Sequence, residues 1–293
     1  MPVDHPFGGQ HTELKLSVIE KYLKQFSTAL RGKFSELWYI DAFAGTGTRT
    51  IKHEERPAGL LGPAEPEKIE QRRGSAQIAI DVAPNFDRII FIESKPSHVQ
   101  ALIELKAKYP DREIEIIKGD ANQALQSAIK WDGWASTRAV LFLDPYGMEV
   151  DWATLEAIAK TKAIDVWFLF PLAGLFRQAT RKITDIDEHK RAALTRMFGS
   201  EEWEGELYPK NDRPDLFGDF AERERLADVA GLERYVKGRL EKIFPKVLKP
   251  LALPVDTKPQ RYSLFLCISN DEPKAIGLAT RIGNHILKAG SSS

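Results

Sequence analysis

Five short runs constrain this chain more than any other feature: "LWYIDAF", "RIIFIE", "IEIIKGD", "AVLFLDP" and "DVWFLFP". Each is apolar on both faces of an extended backbone, and helix-patterned segments follow. A strand with one wet face alternates polar and apolar residues; a strand that does not alternate needs cover on both sides. The pattern predicts an α/β fold, a doubly wound and mainly parallel sheet between two layers of helices. Helix signals fall between the runs. "SHVQ" reads as a capping box of Ser97 and Gln100 opening a helix to Tyr109, and Asn122 and Asp151 read as caps of the next two helices. Ahead of the sheet, Leu14, Val18, Tyr22, Phe26 and Leu30 recur every four residues, with Ile19 and Leu23 widening the stripe, so one amphipathic helix is expected from His11 to about Leu30.

Two stretches break the alternation. Residues 50–73 hold three prolines and scattered charge, and read as a long loop over the sheet edge. Residues 172–247 carry "DEHKRAALTRMF" and "FAERERLADVAGLERYVKGRLEKIF" at helical spacing, and read as an inserted helical subdomain. "LKPLALPV" and "RYSLFLCIS" then give two more strands, and "PKAIGLATRIGNHILKA" a last helix. The expected organisation is a helical segment over 1–34 packed on the core, a Rossmann-like core over 35–171 and 248–290, and the insertion between.

Lys plus Arg total 42 and so do Asp plus Glu, so no global field draws the chain to nucleic acid or an anionic membrane. The single cysteine, Cys267, excludes disulfides within the chain and multi-cysteine metal sites. No metal is expected. With no apolar leader at "MPVDHPFGGQ" and no uncharged run near the ~20 residues that span a bilayer, the expectation is a cytoplasmic protein.

The chemistry gathers at "YIDAFAGTGTRT", a strand running into a glycine loop. Gly45 and Gly47 suit a turn that needs positive φ or close approach to a ligand. The dinucleotide fingerprint would place a third glycine at position 50 and a helix at once; Thr50 stands there and the helix is postponed, which disfavours a pyrophosphate. Asp41 precedes the loop, where a carboxylate repels phosphate and can accept from an ammonium or its water. Glu93 ends the second run, a station for an acid taking ribose hydroxyls, and Asp120 ends the third, where it can receive an adenine amine. Singly, each acid reads equally well as a helix cap or solvated turn. Together they point to a nucleoside with a cationic tail and no phosphate.

That profile matches S-adenosylmethionine, and "YIDAFAGTG", "FIES" and "KGDA" resemble the first three cofactor motifs of class I Rossmann-like methyltransferases. The resemblance covers about residues 35 to 290 and implies a seven-stranded sheet with one antiparallel strand, "RYSLFLCIS". It assigns the cofactor to Asp41, Phe43, Gly45, Thr46, Gly47, Glu93, Asp120 and Ala121. "LFLDPYG" is similar to the Asp-Pro-Pro-Tyr motif of amino-group methyltransferases, with one proline missing. Asp144 and the Pro145 carbonyl would then accept from an exocyclic amine, Tyr146 would stack on its ring, and Phe170 and Pro171 would floor the pocket.

With "HTELKLSVIEKYL" and "GSAQIA" added, the ensemble resembles the bacterial three-Cys-motif partner protein family. Its members are encoded beside a phage-type protein that carries three cysteines and looks like a radical enzyme using the same cofactor. Ala42, Thr46 and Tyr146 stand where the family favours glycine, proline and phenylalanine, while His11 and Lys15 match its N-terminal signature without a stated role. The resemblance implies a methyltransferase of a nucleobase amine working with that partner. An alternative is a protein of this fold that mainly binds and regulates the partner, and an NAD-dependent oxidoreductase is disfavoured by the glycine pattern. Basic runs at 177–196 and 234–249 read as phosphate contacts or as solvated helix faces.

Overall fold

A computed structural model describes residues 10–53, 68–82, 86–209, 223–255 and 259–291. The elements are α1 (Gln10–Leu30), β1 (Glu36–Asp41), β2 (Thr48–His53), β3 (Lys68–Arg73), α2 (Ser75–Val82), β4 (Arg88–Glu93), α3 (Pro96–Ala107), β5 (Ile114–Lys118), α4 (Ala121–Ala128), β6 (Thr137–Leu143), α5 (Trp152–Lys160) and β7 (Ile164–Phe170). They continue with α6 (Leu172–Gln178), α7 (Glu188–Phe198), α8 (Trp203–Leu207), α9 (Val229–Leu240), β8 (Lys246–Val247), β9 (Leu251–Leu253), β10 (Tyr262–Ile268) and α10 (Pro273–Ser291).

The sheet runs β5-β4-β1-β6-β7-β10, with β8 and β9 both paired to β10. The first five of these strands are parallel and β10 is antiparallel to β7. Of the strand expected in "LKPLALPV" only Leu251–Leu253 forms, as β9; β8 precedes that run, and Pro250 between the two has no N–H to give to a ladder.

Alternation along each strand builds two cores. Trp38, Ile40, Leu141, Leu143, Val166 and Phe168 face one layer, which α4, α5 and α7 to α9 cover with Leu125, Leu155, Phe198, Trp203 and Leu232. Leu37, Tyr39, Val140, Phe142, Trp167 and Leu169 face the other, covered by α1, α2, α3 and α10 with Tyr22, Ile78, Leu102 and Ile286. The helices of residues 172–247 therefore share the sheet's own apolar core. Burying one such aliphatic or aromatic side chain stabilises by ~1.5–3 kcal/mol, so this docking is strong.

Several local expectations change. Residues 50–73 are not one loop: β2 and β3 form an antiparallel hairpin, in register from Thr48 opposite Arg73 to His53 opposite Lys68, while Pro57, Pro63 and Pro66 lie outside the described residues. The β-branched Thr48, Thr50, Ile51 and Ile69 favour that extended backbone. Helix α3 opens at Pro96, whose fixed φ suits a first turn, with Lys95 as N-cap and Ser97 already inside, so no capping box forms. Asp120, not Asn122, caps α4, its Oδ1 accepting the Gln123 N–H at 3.0 Å. Asn122 instead bridges to the turn before α5, donating to the Glu149 carbonyl at 2.8 Å and accepting from the Asp151 N–H at 2.9 Å. Asp151 occupies the N-cap position of α5 but turns its carboxylate to Arg196, 3.0 Å away. Among the described residues of 220–244 the helix is α9, capped by Asp228 on the Gly231 N–H at 2.7 Å.

Candidate functional site

Successive strands move outward from β1 in both directions, to β4 and β5 on one side and to β6 and β7 on the other. Such a reversal leaves a crevice outside the carboxyl ends of the strands, where open α/β sheets bind ligands. The glycine loop lies there. Gly45 and Gly47 have φ of 61° and 76°, the left-handed region that favours glycine. Their surroundings differ. A Cβ on Gly47 would meet Leu105 Cδ2 of α3 at 2.6 Å, so this glycine lets the loop pack on protein. Beside Gly45 nothing lies within 4 Å, so that side of the loop is open. The loop also meets α2 directly: the Gly74 N–H donates to the Gly47 carbonyl at 2.8 Å. The hairpin is thus an excursion from an otherwise ordinary strand–loop–helix unit.

Asp41, expected to face a cationic ligand, has no exposed surface. Its Oδ1 accepts the Phe43 N–H at 3.2 Å and its Oδ2 the Tyr39 hydroxyl at 3.3 Å. Burial pushes its carboxyl up to about 7, against hydrogen bonds from Ser75, Phe43 and Tyr39. In this structure it fastens the loop to β1 and α2. The reason is geometric: Asp41 is still a strand residue, pairing with Phe91 and Phe142 of the flanking strands.

Glu93 is at the centre. It is 4% exposed, and its Oε2 accepts the Gly45 N–H at 3.0 Å and meets His98 Nδ1 at 3.3 Å, while Oε1 accepts the Lys95 N–H at 2.9 Å. Burial alone would raise the carboxyl, yet the bonds from Lys95, His98 and Gly45 outweigh it and hold the group below its ordinary value. A carboxylate offers about four acceptor positions and these contacts use three. One hydroxyl has room to donate to Glu93, or two hydroxyls if the His98 ring is displaced. The Gly119 N–H donates to the Glu93 carbonyl at 3.1 Å, which brings Asp120 to the same edge. Asp120 is exposed, with one oxygen spent as the α4 cap. Thr46 closes the loop through its hydroxyl to the Thr48 carbonyl at 2.6 Å, and Ala121 is buried under the turn.

On the other side of β1, Asp144 and Tyr146 follow β6. Tyr146 is 56% exposed, its N–H donates to Glu149 at 3.1 Å, and Lys95 Nζ stands 4.3 Å from its ring centroid. That contact brings the loops after β4 and β6 together. Desolvation and the nearby Glu93 and Asp144 raise the Tyr146 hydroxyl above its usual range. Pro145 is buried. Phe170 gives the site no floor: it is 2% exposed and packs edge-on against Phe168 and Phe265, since β7 keeps it in the core register. Pro171 is likewise buried.

The sequence reading left His11 and Lys15 without a role, and both arrive here on α1. Lys15 is 8% exposed, donates to Asp144 Oδ2 as an ion pair, and stands 5.9 Å from the Phe142 ring. His11, one turn earlier, stacks on Tyr262 of β10 with 6.4 Å between centroids. Desolvation, then the charges of Lys15 and Arg261, lower the imidazole below the ordinary histidine value. The signal was present in the sequence: Lys15 stands four residues before Ile19, on the buried line of the helix, where a cation requires a partner.

The basic runs are largely neutralised. Arg181, Lys190, Arg191 and Arg196 pair with Glu224, Asp187, Glu204 and Asp151, and Lys237, Arg239 and Lys242 with Glu241, Glu202 and Glu206. Among the described residues no cluster of His, Cys, Asp and Glu could hold a metal, and no helix is long and apolar enough to cross a membrane.

Strand order, the reversal at β1 and the antiparallel β10 make this a class I methyltransferase-type α/β fold. No family model and no curated protein matches the chain. Among solved structures, protein LPL1258 from Legionella pneumophila is similar, with 13% identity and a TM-score of 0.49 over 94% of this chain and 92% of that one. The N-terminal domain of EvdMO1 with SAH bound shows 11% identity and a TM-score of 0.34 over 83% and 79%. A S-adenosylmethionine-dependent methyltransferase from Clostridium acetobutylicum shows 10% and 0.34 over 85% and 91%. With TM-scores no higher than 0.49 in these three, the fold rests on the strand order and the chemistry on the site.

Proposed function

We propose that the protein is a S-adenosylmethionine-dependent methyltransferase acting on an exocyclic amine of a nucleobase. The observation that carries this reading is the Gly45–Glu93 hydrogen bond at the strand-order reversal, with open space beside Gly45 and the Asp144 turn across β1. The donor set fits the cofactor: Glu93 suits a ribose hydroxyl and exposed Asp120 an adenine amine. When bound, the cofactor supplies an electrophilic methyl group. The chain would then hold the acceptor. Asp144 Oδ1, which has no partner among the described residues, and the Pro145 carbonyl accept the amine N–H groups, and exposed Tyr146 offers a face for the ring. The test is transfer of a labelled methyl group to candidate DNA, RNA and protein. Asp144→Ala should abolish transfer while leaving cofactor affinity within a few-fold; equal loss of both would place Asp144 in cofactor binding instead.

A second reading, docking to a cysteine-rich partner, draws on Phe176 and Leu226, which are 41% and 79% exposed, with the Arg225 guanidinium 4.3 Å from the Phe176 ring. Co-purification that Phe176→Ser abolishes, with methyl transfer absent throughout, would favour it.

A further inference from the structure

We propose that Lys15 is a specificity-determining residue: its ion pair with Asp144 restricts the acceptor to an uncharged nitrogen, an aromatic or amide-like amine, and rejects alkylammonium groups. The inference rests on the methyltransferase reading and adds a filter to it.

The argument is one of charge at close quarters. Asp144 is the acid at the acceptor turn, and one of its oxygens is committed to an ammonium nine-tenths buried on α1. Buried ions are tolerated when paired, and removing one partner strands the other. Phe142 covers a further side of Lys15. Asp144 therefore offers an entering amine its geometry and its second oxygen, and its negative charge is already matched. The cofactor's sulfonium adds a second cation beside the acceptor. A protonated alkylamine would meet two like charges in a partly desolvated site, where such repulsion is stronger than in water. An exocyclic ring amine is neutral at pH 7 and meets no such barrier. Two further acids face Tyr146, but Glu93 is already bonded by Gly45, Lys95 and His98 and Glu149 accepts the Tyr146 N–H, while Lys95 stands over the same ring as another like charge to an ammonium. In the transfer itself the nitrogen lone pair forms the N–C bond, the C–S bond breaks with its pair kept by sulfur, and the nitrogen sheds its extra proton to water.

The experiment uses the full chain, methyl-labelled cofactor, and two probes: a random-sequence single-stranded adenine-rich oligonucleotide and polylysine. Wild type should label the oligonucleotide at least a hundredfold over polylysine. Lys15→Met should lower kcat on the oligonucleotide more than tenfold, move cofactor Kd less than threefold, and narrow the preference; Lys15→Arg should keep it. Polylysine labelled preferentially by wild type, or Lys15→Met with unchanged kcat and preference, overturns the proposal. Absence of cofactor binding by calorimetry removes the parent reading and the filter with it. Cofactor binding with neither probe labelled overturns the proposal as well.

Discussion

Replacing Asp41 with asparagine removes a titration that the fold itself creates. In the folded chain this carboxyl titrates near 7, raised by complete burial; unfolded, it returns to ~3.9. The folded state therefore binds the proton more tightly. Its contribution to stability is complete below about pH 4 and is lost as pH rises through about 7. Linkage between pH 5 and pH 8 amounts to about 3 kcal/mol. With an unfolding entropy of ~2.1 cal/mol/K per residue over the 293-residue chain, that is roughly 4 to 5 °C in Tm. Asparagine keeps an acceptor for the Phe43 N–H and an amide donor for Tyr39 or Ser75, without the titration. Asp165, raised by burial to about 6 beneath the Tyr22 hydroxyl, shifts stability in the same direction in both proteins and cancels on subtraction. The assay is a pair of melting curves from pH 5 to 8. The Tm advantage of wild type over Asp41→Asn should shrink by those few degrees as pH rises. A difference that is constant, or that grows with pH, would refute the burial argument.

The two loop glycines should separate cleanly. Gly47→Ala meets both a positive φ and Leu105 Cδ2 at 2.6 Å, and should cost about 2–4 kcal/mol in chemical denaturation; Gly45→Ala meets only the φ and should cost about 1 kcal/mol, with its main effect on ligand affinity. Asp228→Ala should lower stability by about 1 kcal/mol in the same assay, through loss of its bond to the Gly231 N–H. Because seven cations of the described insert residues already have carboxylate partners, any nucleic-acid affinity should fall only shallowly as salt is raised, measured by anisotropy.

The strands were legible because burial on both faces leaves no ambiguity of composition: "RIIFIE" coincides with β4, and β1, β5, β6 and β7 lie within a few residues of the other runs. The glycine loop and its acids were legible as a group for the same reason, since a strand end fixes where the next residue points. Caps were less so. Asp120, Asn122 and Asp151 are all suitable capping residues, and which one caps depends on partners brought from elsewhere, Glu149 and Arg196 among them. Asp41 was legible as a strand residue, but that its carboxylate is enclosed by Tyr39, Phe43 and Ser75 depends on packing the sequence does not show. The hairpin within 50–73 was hidden by weak periodicity and charge. Lys15 shows the deeper limit: its stripe position demanded an anion, but only the packing of α1 on the sheet names Asp144.

The central claim is that Glu93 and Asp120 beside an open glycine loop select an adenosine derivative without phosphate. Calorimetric titration of wild type and Glu93→Ala with S-adenosylmethionine, its demethylated product and NAD tests it most directly. The account predicts saturable binding of the first two to wild type, weakened at least tenfold by Glu93→Ala, and no comparable binding of NAD. Tighter binding of NAD, or an affinity for S-adenosylmethionine that Glu93→Ala leaves unchanged, would contradict it.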